Sequence, residues 1–198
     1  MIRNSYFICP DCFHSDAVCH SLELKILGKN EGLKVSNPSV EFHNVICPKC
    51  GGNMFECDAG LVDIIKEINK FDCIKTDYCC EGHLYTDMDD GTAMGNSLPY
   101  MMFNKPYEDD KLYKAMNGLL NDPKYKNIVR FDADDVELED DTLYYLRVYA
   151  DVNPYTVPNI DKNDPELNEA KMASFNAVKQ TFKEFLEDLV KRLKEIYK

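Results

Sequence analysis

The stretches CPDC at residues 9–12 and CPKCGG at residues 47–52 decide how the first part of this chain folds. Each predicts a tight turn that holds two thiolates on one side of the backbone, and two such turns supply four soft ligands in a tetrahedron. The glycine pair after Cys50 permits positive φ angles where the second turn closes. The spacing therefore predicts a structural zinc site whose ligands are Cys9, Cys12, Cys47 and Cys50.

Strand-like segments flank the two turns, which we call the first and second knuckle. Apolar and polar residues alternate over residues 21–27 (SLELKIL) and 40–46 (VEFHNVI), and residues 53–57 (NMFEC) continue from the second knuckle. These patterns predict a zinc ribbon with about three strands. We expect it to form a first domain over residues 1–57.

Residues 58–198 predict a second domain of a different kind. Apolar residues at helical spacing begin after Asp58, a candidate N-cap, and a second helical pattern covers residues 108–120. Each helix precedes two strand-like segments, so the order helix–strand–strand occurs twice. This order favours a mainly antiparallel sheet with helices on one face, which makes the chain an α+β protein.

An acidic stretch, DADDVELEDD at residues 132–141, lies between two of the predicted strands, 128–131 and 143–150. A run of like charges is typical of a solvated loop. We therefore expect the first of these strands to end at residue 131 and the second to begin at residue 143.

The last part of the chain predicts one long helix. Asp164, Pro165 and Glu166 supply a cap, a proline in the first turn and an acid near the helix N-terminus. Apolar residues then recur at helical spacing from residue 167 to residue 196, which predicts an amphipathic helix of about 30 residues. We expect it to cover the sheet of its own chain, with a seam between two copies as the alternative.

Composition limits the class of protein. The chain has 198 residues and a net charge of −12, and no stripe of Lys and Arg stands out, which disfavours nucleic acid as a partner. No apolar run approaches the ~20 residues that span a membrane, and the N-terminus lacks the apolar region of a signal peptide. Nine cysteines fit a reducing compartment if they bind metal or stay as thiols. We therefore expect a cytoplasmic protein whose partner is another protein or a second copy of itself.

Each knuckle is followed at the same distance by one further cysteine. Cys19 follows Cys12, and Cys57 follows Cys50, in each case after six intervening residues. The series C-x2-C-x6-C resembles the ligand spacing of the binuclear zinc clusters of fungal transcription factors, in which six cysteines share two metals. That resemblance implies a second metal held through Cys19 and Cys57. The alternative is that both cysteines pack inside the ribbon.

A second constellation, TDYCCEGH, occupies residues 76–83, where a β-rich segment breaks at a glycine. A thiolate of Cys80 paired with His83 predicts a nucleophile, because a nearby imidazolium lowers the pKa of a thiol. A second metal bound by Cys79, Cys80 and His83, with or without Cys73, is another interpretation. The third is a tight turn whose cysteines are buried.

The stretch IIKEINKFDCIKTDYCCEGH, together with LPYMMF at residues 98–103, resembles a group of uncharacterised bacterial and phage zinc-ribbon proteins. In that group a CPxCGG knuckle precedes a helix and a strand that ends in a C-x-G-H turn. The resemblance implies no established reaction, but it implies that Cys80, Gly82 and His83 form a site. The turn also resembles, more distantly, the Ser-Cys-Ser-Gly-Arg turn of the wybutosine-synthesising tRNA methyltransferases, with His83 in place of the arginine.

Two functions follow as hypotheses. The first is a zinc-ribbon binding or adaptor protein that contacts another protein. The second is a small enzyme that uses Cys80 and His83, by thiolate attack or with a second metal, on a nucleotide-like substrate. A pocket enclosing these two side chains would favour the enzyme, and a filled core around the cysteines would favour the binding protein.

Overall fold

The computed structural model describes residues 5–17, 45–71, 73–82, 98–104, 110–137, 142–152 and 165–198. Within these ranges the chain forms two four-stranded antiparallel sheets and several helices, the last of them long, so the α+β class is confirmed. No helix in these ranges is long and apolar enough to cross a membrane.

The first sheet carries both knuckles. Its strands are β1 (Ser5–Ile8), β2 (Ser15–Ala17), β3 (Val45–Ile46) and β4 (Asn53–Asp58), in the order β2-β1-β4-β3. Each knuckle is the turn of a hairpin, the first between β1 and β2 and the second between β3 and β4. The central pair β1 and β4 therefore brings the two turns to the same end of the sheet.

The sequence predicted this sheet only in part. The strand that leaves the second knuckle is β4, as expected, and it extends one residue further, to Asp58. Of the strand predicted over residues 40–46 only β3 is described, and the prediction over residues 21–27 lies outside the described residues. The sequence patterns missed β1 and β2, which are too short to show a clear alternation.

The second sheet consists of β5 (Lys75–Cys80), β6 (Tyr100–Asn104), β7 (Val129–Glu137) and β8 (Thr142–Ala150), in the order β5-β6-β8-β7. The expected end of β7 at residue 131 is wrong. This strand continues six residues into the acidic stretch, because β7 pairs with β8 along its whole length and the ladder satisfies its backbone groups. The charge run predicted solvent exposure, which an edge strand permits as readily as a loop.

The helices follow the expected order. A 3₁₀ turn (Ala59–Leu61) leads into α1 (Val62–Ile68), and α2 (Asp110–Leu120) and a single turn, α3 (Pro123–Lys126), precede β7. The C-terminal helix α4 (Pro165–Ile196) has 32 residues. Asp164, its expected cap, lies outside the described residues.

Helix α4 packs along one face of the second sheet. Its buried side chains meet those of β6 and β8 in one core, and it also contacts α1 and α2. The hydroxyl of Tyr125 in α3 donates to the Asp188 carboxylate of α4 at 2.6 Å. Toward the start of the helix, Met172 remains exposed. The helix thus covers the sheet of its own chain, and a seam between two copies stays a prediction.

One core joins the two sheets. Ile8 of β1 and Phe55 and Cys57 of β4 are buried in the same cluster as the side chains of α1 and the second sheet. The buried carboxylate of Asp58 accepts a hydrogen bond from the backbone N–H of Glu81 at 2.8 Å, just after β5. Asp58 occupies the N-cap position of the 3₁₀ turn without making a cap hydrogen bond. The expected domain boundary at residue 57 stays a prediction, and the core continues across it.

Asn69 connects the end of α1 to the start of β5. Its side-chain Nδ2 donates to Thr76 Oγ1 at 2.8 Å, and its Oδ1 accepts from the Thr76 backbone N–H at 2.8 Å. Both residues are buried. A buried donor or acceptor that loses its partner carries the full cost of its desolvation.

We expect the substitution Asn69→Ala to lower the free energy of unfolding by about 2 kcal/mol, because it leaves both Thr76 groups without these partners. Urea denaturation followed by circular dichroism measures the change. The control is Asn117→Ala at an exposed position of α2, which should leave stability unchanged or slightly raise it. Equal effects of the two substitutions would contradict the role given to Asn69.

Candidate metal centre

The sulfur atoms of the two knuckles converge on one point. The Sγ atoms of Cys9, Cys12, Cys47 and Cys50 all lie within 4.8 Å of one another. Cys9 is 3.4 Å from Cys50, and Cys12 is 3.5 Å from Cys47, in each case between Sγ atoms of different knuckles. Tetrahedral zinc with Zn–S bonds of about 2.3 Å needs sulfur–sulfur separations of about 3.8 Å. The four sulfurs therefore form a cluster that can hold a metal ion.

The backbone of each knuckle is closed by the same pair of hydrogen bonds. In the first knuckle the N–H of Cys9 donates to the carbonyl of His14 at 2.9 Å, and the N–H of Phe13 donates to the carbonyl of Cys9 at 3.0 Å. The second knuckle repeats both bonds, from Cys47 to Gly52 at 2.8 Å and from Gly51 to Cys47 at 3.0 Å. The two turns therefore present their cysteines in the same way.

Both knuckles also require a positive φ at the residue after their second cysteine. Phe13 has a φ of 62° and Gly51 has a φ of 78°. Only glycine adopts this region without a steric cost, so the first knuckle is the more strained of the two. Gly51 thus has the role that the sequence predicted for the glycine pair, whereas Gly52 does not have a positive φ.

The thiols of the cluster differ in acidity. Burial acts to raise the pKa of Cys47, but backbone N–H groups of Lys49 and Cys50 donate to its sulfur and lower the pKa to about 6. For Cys50, the N–H of Gly52 lowers the pKa, but the neighbouring thiols of the cluster outweigh it and raise the pKa to about 12. Four adjacent sulfurs cannot all carry a negative charge unless a cation compensates it, so metal binding would release protons.

Side chains of the second part of the chain support the first knuckle. The ammonium of Lys75, at the start of β5, donates to the Pro10 carbonyl at 3.1 Å and lies 3.6 Å from the Asp11 carboxylate. Lys66 of α1 donates to Ser15 Oγ at 2.9 Å. His14 is not part of the sulfur cluster. Its Nε2 instead lies 2.7 Å from Asp16 Oδ2. The knuckle is thus attached to α1 and β5 through polar contacts.

Cys57 does not join the four sulfurs. It is buried in the core on β4, where its thiol is next to that of Cys79 on β5. Cys19 lies outside the described residues. Within the ranges that the structure describes, no other group of three or more Cys, His, Asp or Glu side chains converges as metal ligands do.

The predicted catalytic residues are described only in part. Cys80 is 5% exposed at the end of β5, and the backbone N–H of Gly82 lies 3.3 Å from its sulfur. Its neighbour Cys79 is equally buried, and burial raises the pKa of Cys79 well above its usual value, so this thiol stays protonated near neutral pH. His83 lies outside the described residues, so the pairing of Cys80 with His83 stays a prediction.

The turn after β5 is closely packed. Gly82 has a φ of 90°, and a Cβ at this position would lie 2.9 Å from the Pro99 ring. Both the backbone angle and the contact require glycine here.

A pocket of about 290 Å³ lies beside this turn, lined by Glu81 and by residues of α4, and Cys80 is not among its lining residues.

Comparisons with known proteins identify no relative: no family model matches the chain, and no curated protein or solved structure gives a significant match. The resemblances to bacterial and phage zinc-ribbon proteins and to tRNA methyltransferases stay predictions. What the site does must therefore be inferred from its own residues.

We expect Gly51→Ala to lower the free energy of unfolding by about 1–2 kcal/mol, the cost of a positive φ for a residue with a Cβ. The new Cβ would have no atom within 4 Å, so the cost is one of backbone conformation alone. Thermal or urea denaturation of the metal-loaded protein measures it.

Gly118→Ala is the matched control for Gly51→Ala. Gly118 lies inside α2, and its new Cβ would make an ordinary contact with Arg192 at 3.6 Å. Alanine is favoured over glycine in a helix by roughly 1 kcal/mol, so this substitution should stabilise the protein. The same sign for both substitutions would contradict the role given to Gly51.

Proposed function

We propose that this protein is a zinc-stabilised binding module, in which a structural zinc ion holds the two knuckles together as a ribbon and the ribbon contacts a protein partner. The observation that carries the proposal is the convergence of the Sγ atoms of Cys9, Cys12, Cys47 and Cys50 within 4.8 Å.

The donor set supports zinc in a structural role. Four thiolates in a tetrahedron favour zinc or an iron–sulfur centre over the hard cations that prefer oxygen. A site with four protein ligands leaves no open position for water or substrate, as is typical of structural zinc. Such a site needs reduced thiols, which supports the cytoplasm as its compartment.

The surfaces of the chain favour binding over thiol catalysis. Catalytic thiolates are accessible and have a lowered pKa, whereas Cys79 and Cys80 are buried and the pKa of Cys79 is raised. The second knuckle, by contrast, is exposed to solvent over residues 48–51. Ile46, the residue before Cys47, is 56% exposed, which places an apolar side chain beside the metal-binding turn. Loops that a rigid scaffold holds often carry binding residues, so we place the contact at the second knuckle, with Ile46 at its edge.

The zinc assignment predicts one zinc ion per chain by native mass spectrometry of protein purified without a metal tag. Replacing Cys47 and Cys50 together by Ser should release the ion and unfold at least the first sheet, because metal binding there is folding free energy. Circular dichroism and the zinc count measure both effects. A double variant that keeps its zinc and its fold would refute the assignment of Cys47 and Cys50 as zinc ligands.

Two controls separate this site from others. Cys73→Ser should keep the zinc ion, since Cys73 is outside the sulfur cluster and serine preserves a donor to the Tyr197 hydroxyl. His83→Ala should also keep it if the turn after β5 is free of metal. Two ions in the parent protein, and one after His83→Ala, would place a second metal at that turn.

The binding role predicts that Ile46 takes part in the contact. If the partner is a second copy of the chain, sedimentation equilibrium should show a dimer that Ile46→Asp dissociates. Met172→Asp is the matched control, because Met172 is the other large apolar side chain that stands exposed among the described residues. A dimer that Met172→Asp dissociates, and Ile46→Asp does not, would move the contact from the ribbon to helix α4.

A further inference from the structure

We propose that strand β7 binds an extended, basic segment of another protein, which pairs with the outer edge of the second sheet as a fifth strand. In the order β5-β6-β8-β7 this nine-residue strand lies at one edge of the sheet. Strand β5, at the opposite edge, contacts β4 of the first sheet. The proposed site therefore lies across the sheet from the ribbon, and it is independent of the metal centre and of the contact at Ile46.

The register of the ladder shows which backbone groups of β7 face away from β8. The N–H of Asp151 donates to the carbonyl of Ile128 at 2.7 Å, one step before the pair of Val129 with Ala150. Hydrogen-bonded and non-hydrogen-bonded pairs alternate along an antiparallel ladder. The N–H of Ala150 accordingly donates to the other side of β8, to the carbonyl of Pro99 at 2.9 Å. Every second residue of β7 therefore directs its N–H and C=O outward: Val129, Phe131, Ala133, Asp135 and Glu137.

Most of this outer edge is available for pairing. Arg130 Nη1 donates to the Val129 carbonyl at 3.0 Å, which occupies the first position. From Phe131 to Glu137, no strand of the described ranges pairs with the outer side of β7. The strand has no bulge against β8 and contains no proline or lysine, which are features that protect edges against pairing. Seven residues are enough to pair with a strand of ordinary length.

The charge of the edge selects its partner. Residues 132–141 contain seven acids and no base. A second copy of the chain would bring the same acidic stretch against this edge, and like charges directly opposite one another destabilise a strand pair. A strand that carries lysine or arginine meets opposite charges instead. The occupant is therefore a basic segment of a different protein.

The bases around β7 do not compensate this charge. Arg130 lies 3.5 Å from the carboxylate of Asp151, and Arg147 is the cross-strand partner of Asp132. Both arginines of the hairpin thus have acidic neighbours of their own. Helices α2 and α3, which precede β7, carry four lysines, but residues 110–151 as a whole still have a net charge of −4.

The two faces of β7 set the side-chain pattern of the partner. Phe131, which packs against the main core, is half-buried, and its ring centroid lies 5.9 Å from that of Tyr113 in α2. Asp132 is exposed on the opposite face. Side chains of a strand alternate between the two faces. We therefore expect apolar residues of the partner beside Phe131, alternating with lysine or arginine on the face of Asp132.

The test is a titration of the full chain with fluorescein-labelled peptides of about seven residues, followed by fluorescence anisotropy at physiological ionic strength. One peptide alternates lysine with valine, and the other alternates glutamate with valine. We expect the lysine peptide to bind about tenfold more tightly or better, because only its charges oppose those of the edge. Equal affinities, or no binding of the lysine peptide, would overturn the proposal.

A proline substitution tests the backbone pairing. Ala133→Pro removes an outward N–H that the ladder with β8 does not use, and proline is tolerated at such positions of edge strands. It should weaken binding of the lysine peptide about tenfold, by the loss of one backbone hydrogen bond and the bulk of the ring. Ala133→Val keeps the N–H and is the matched control. Equal affinities of these two variants would contradict the pairing.

Charge variants separate the edge from general attraction between an acidic chain and a cationic peptide. Asp134→Asn combined with Asp135→Asn should weaken binding about fivefold. The matched control combines Asp63→Asn with Glu187→Gln, which removes two charges at exposed positions of α1 and α4. Equal weakening by the two double variants would overturn the site.

Hydrogen exchange tests the same pairing in the parent protein, so this result does not depend on the folding of any variant. Saturating lysine peptide should slow exchange of the outward amides of Phe131 and Ala133 and leave that of Asp132, which faces β8, nearly unchanged. Protection elsewhere with none on β7 would overturn the proposal.

Two further outcomes identify the occupant. A dimer in sedimentation equilibrium that Ala133→Pro dissociates would make a second copy of the chain the occupant, and would overturn the basic partner. Ile46→Asp should leave peptide binding unchanged, so that failure of the ribbon contact and failure of this site are distinguishable.

Discussion

The meeting of four cysteine sulfurs at one end of the first sheet is the constraint on which the rest of that sheet depends. Its strands β2 and β3 have three and two residues, which are too few to hold a sheet by backbone hydrogen bonds. Among the described residues the apolar cluster on this side is also small, with four buried members, two of them cysteines of the site. Small units of this kind need a metal or a disulfide in place of a large core.

The same sheet faces the main core with its other side. Ile8 and Phe55 are cross-strand neighbours on β1 and β4, and both are buried against α1 and the second sheet. Strand β4 runs from the second knuckle to Asp58. The carboxylate of Asp58 accepts a hydrogen bond from the backbone N–H of Glu81. A single strand thus links the sulfur cluster to the turn after β5, and the first sheet gains from the main core the stability that its own strands lack.

Helix α4 contributes to the molecule in two ways. Its apolar stripe, with Phe182, Phe185 and Leu189 fully buried, covers the second sheet and supplies much of the core. The polar residues at one border of this stripe face the end of β5 and line the pocket opposite Glu81. Because the helix is held by its core contacts, side chains at the border are presented from a rigid element.

The sequence by itself determined the features that depend on local spacing: the four converging cysteines, the positive φ at Gly51, the long amphipathic helix and the α+β class. These follow from turn chemistry and hydrophobic period, which act over a few residues. Only the tertiary structure decided that Cys57 contacts Cys79 instead of joining the cluster, that β7 continues into the acidic stretch, and that Asp58 holds Glu81 beside two lysines of α4. Each of these unites residues far apart in the chain, and no local pattern records which distant side chains will meet when the elements pack.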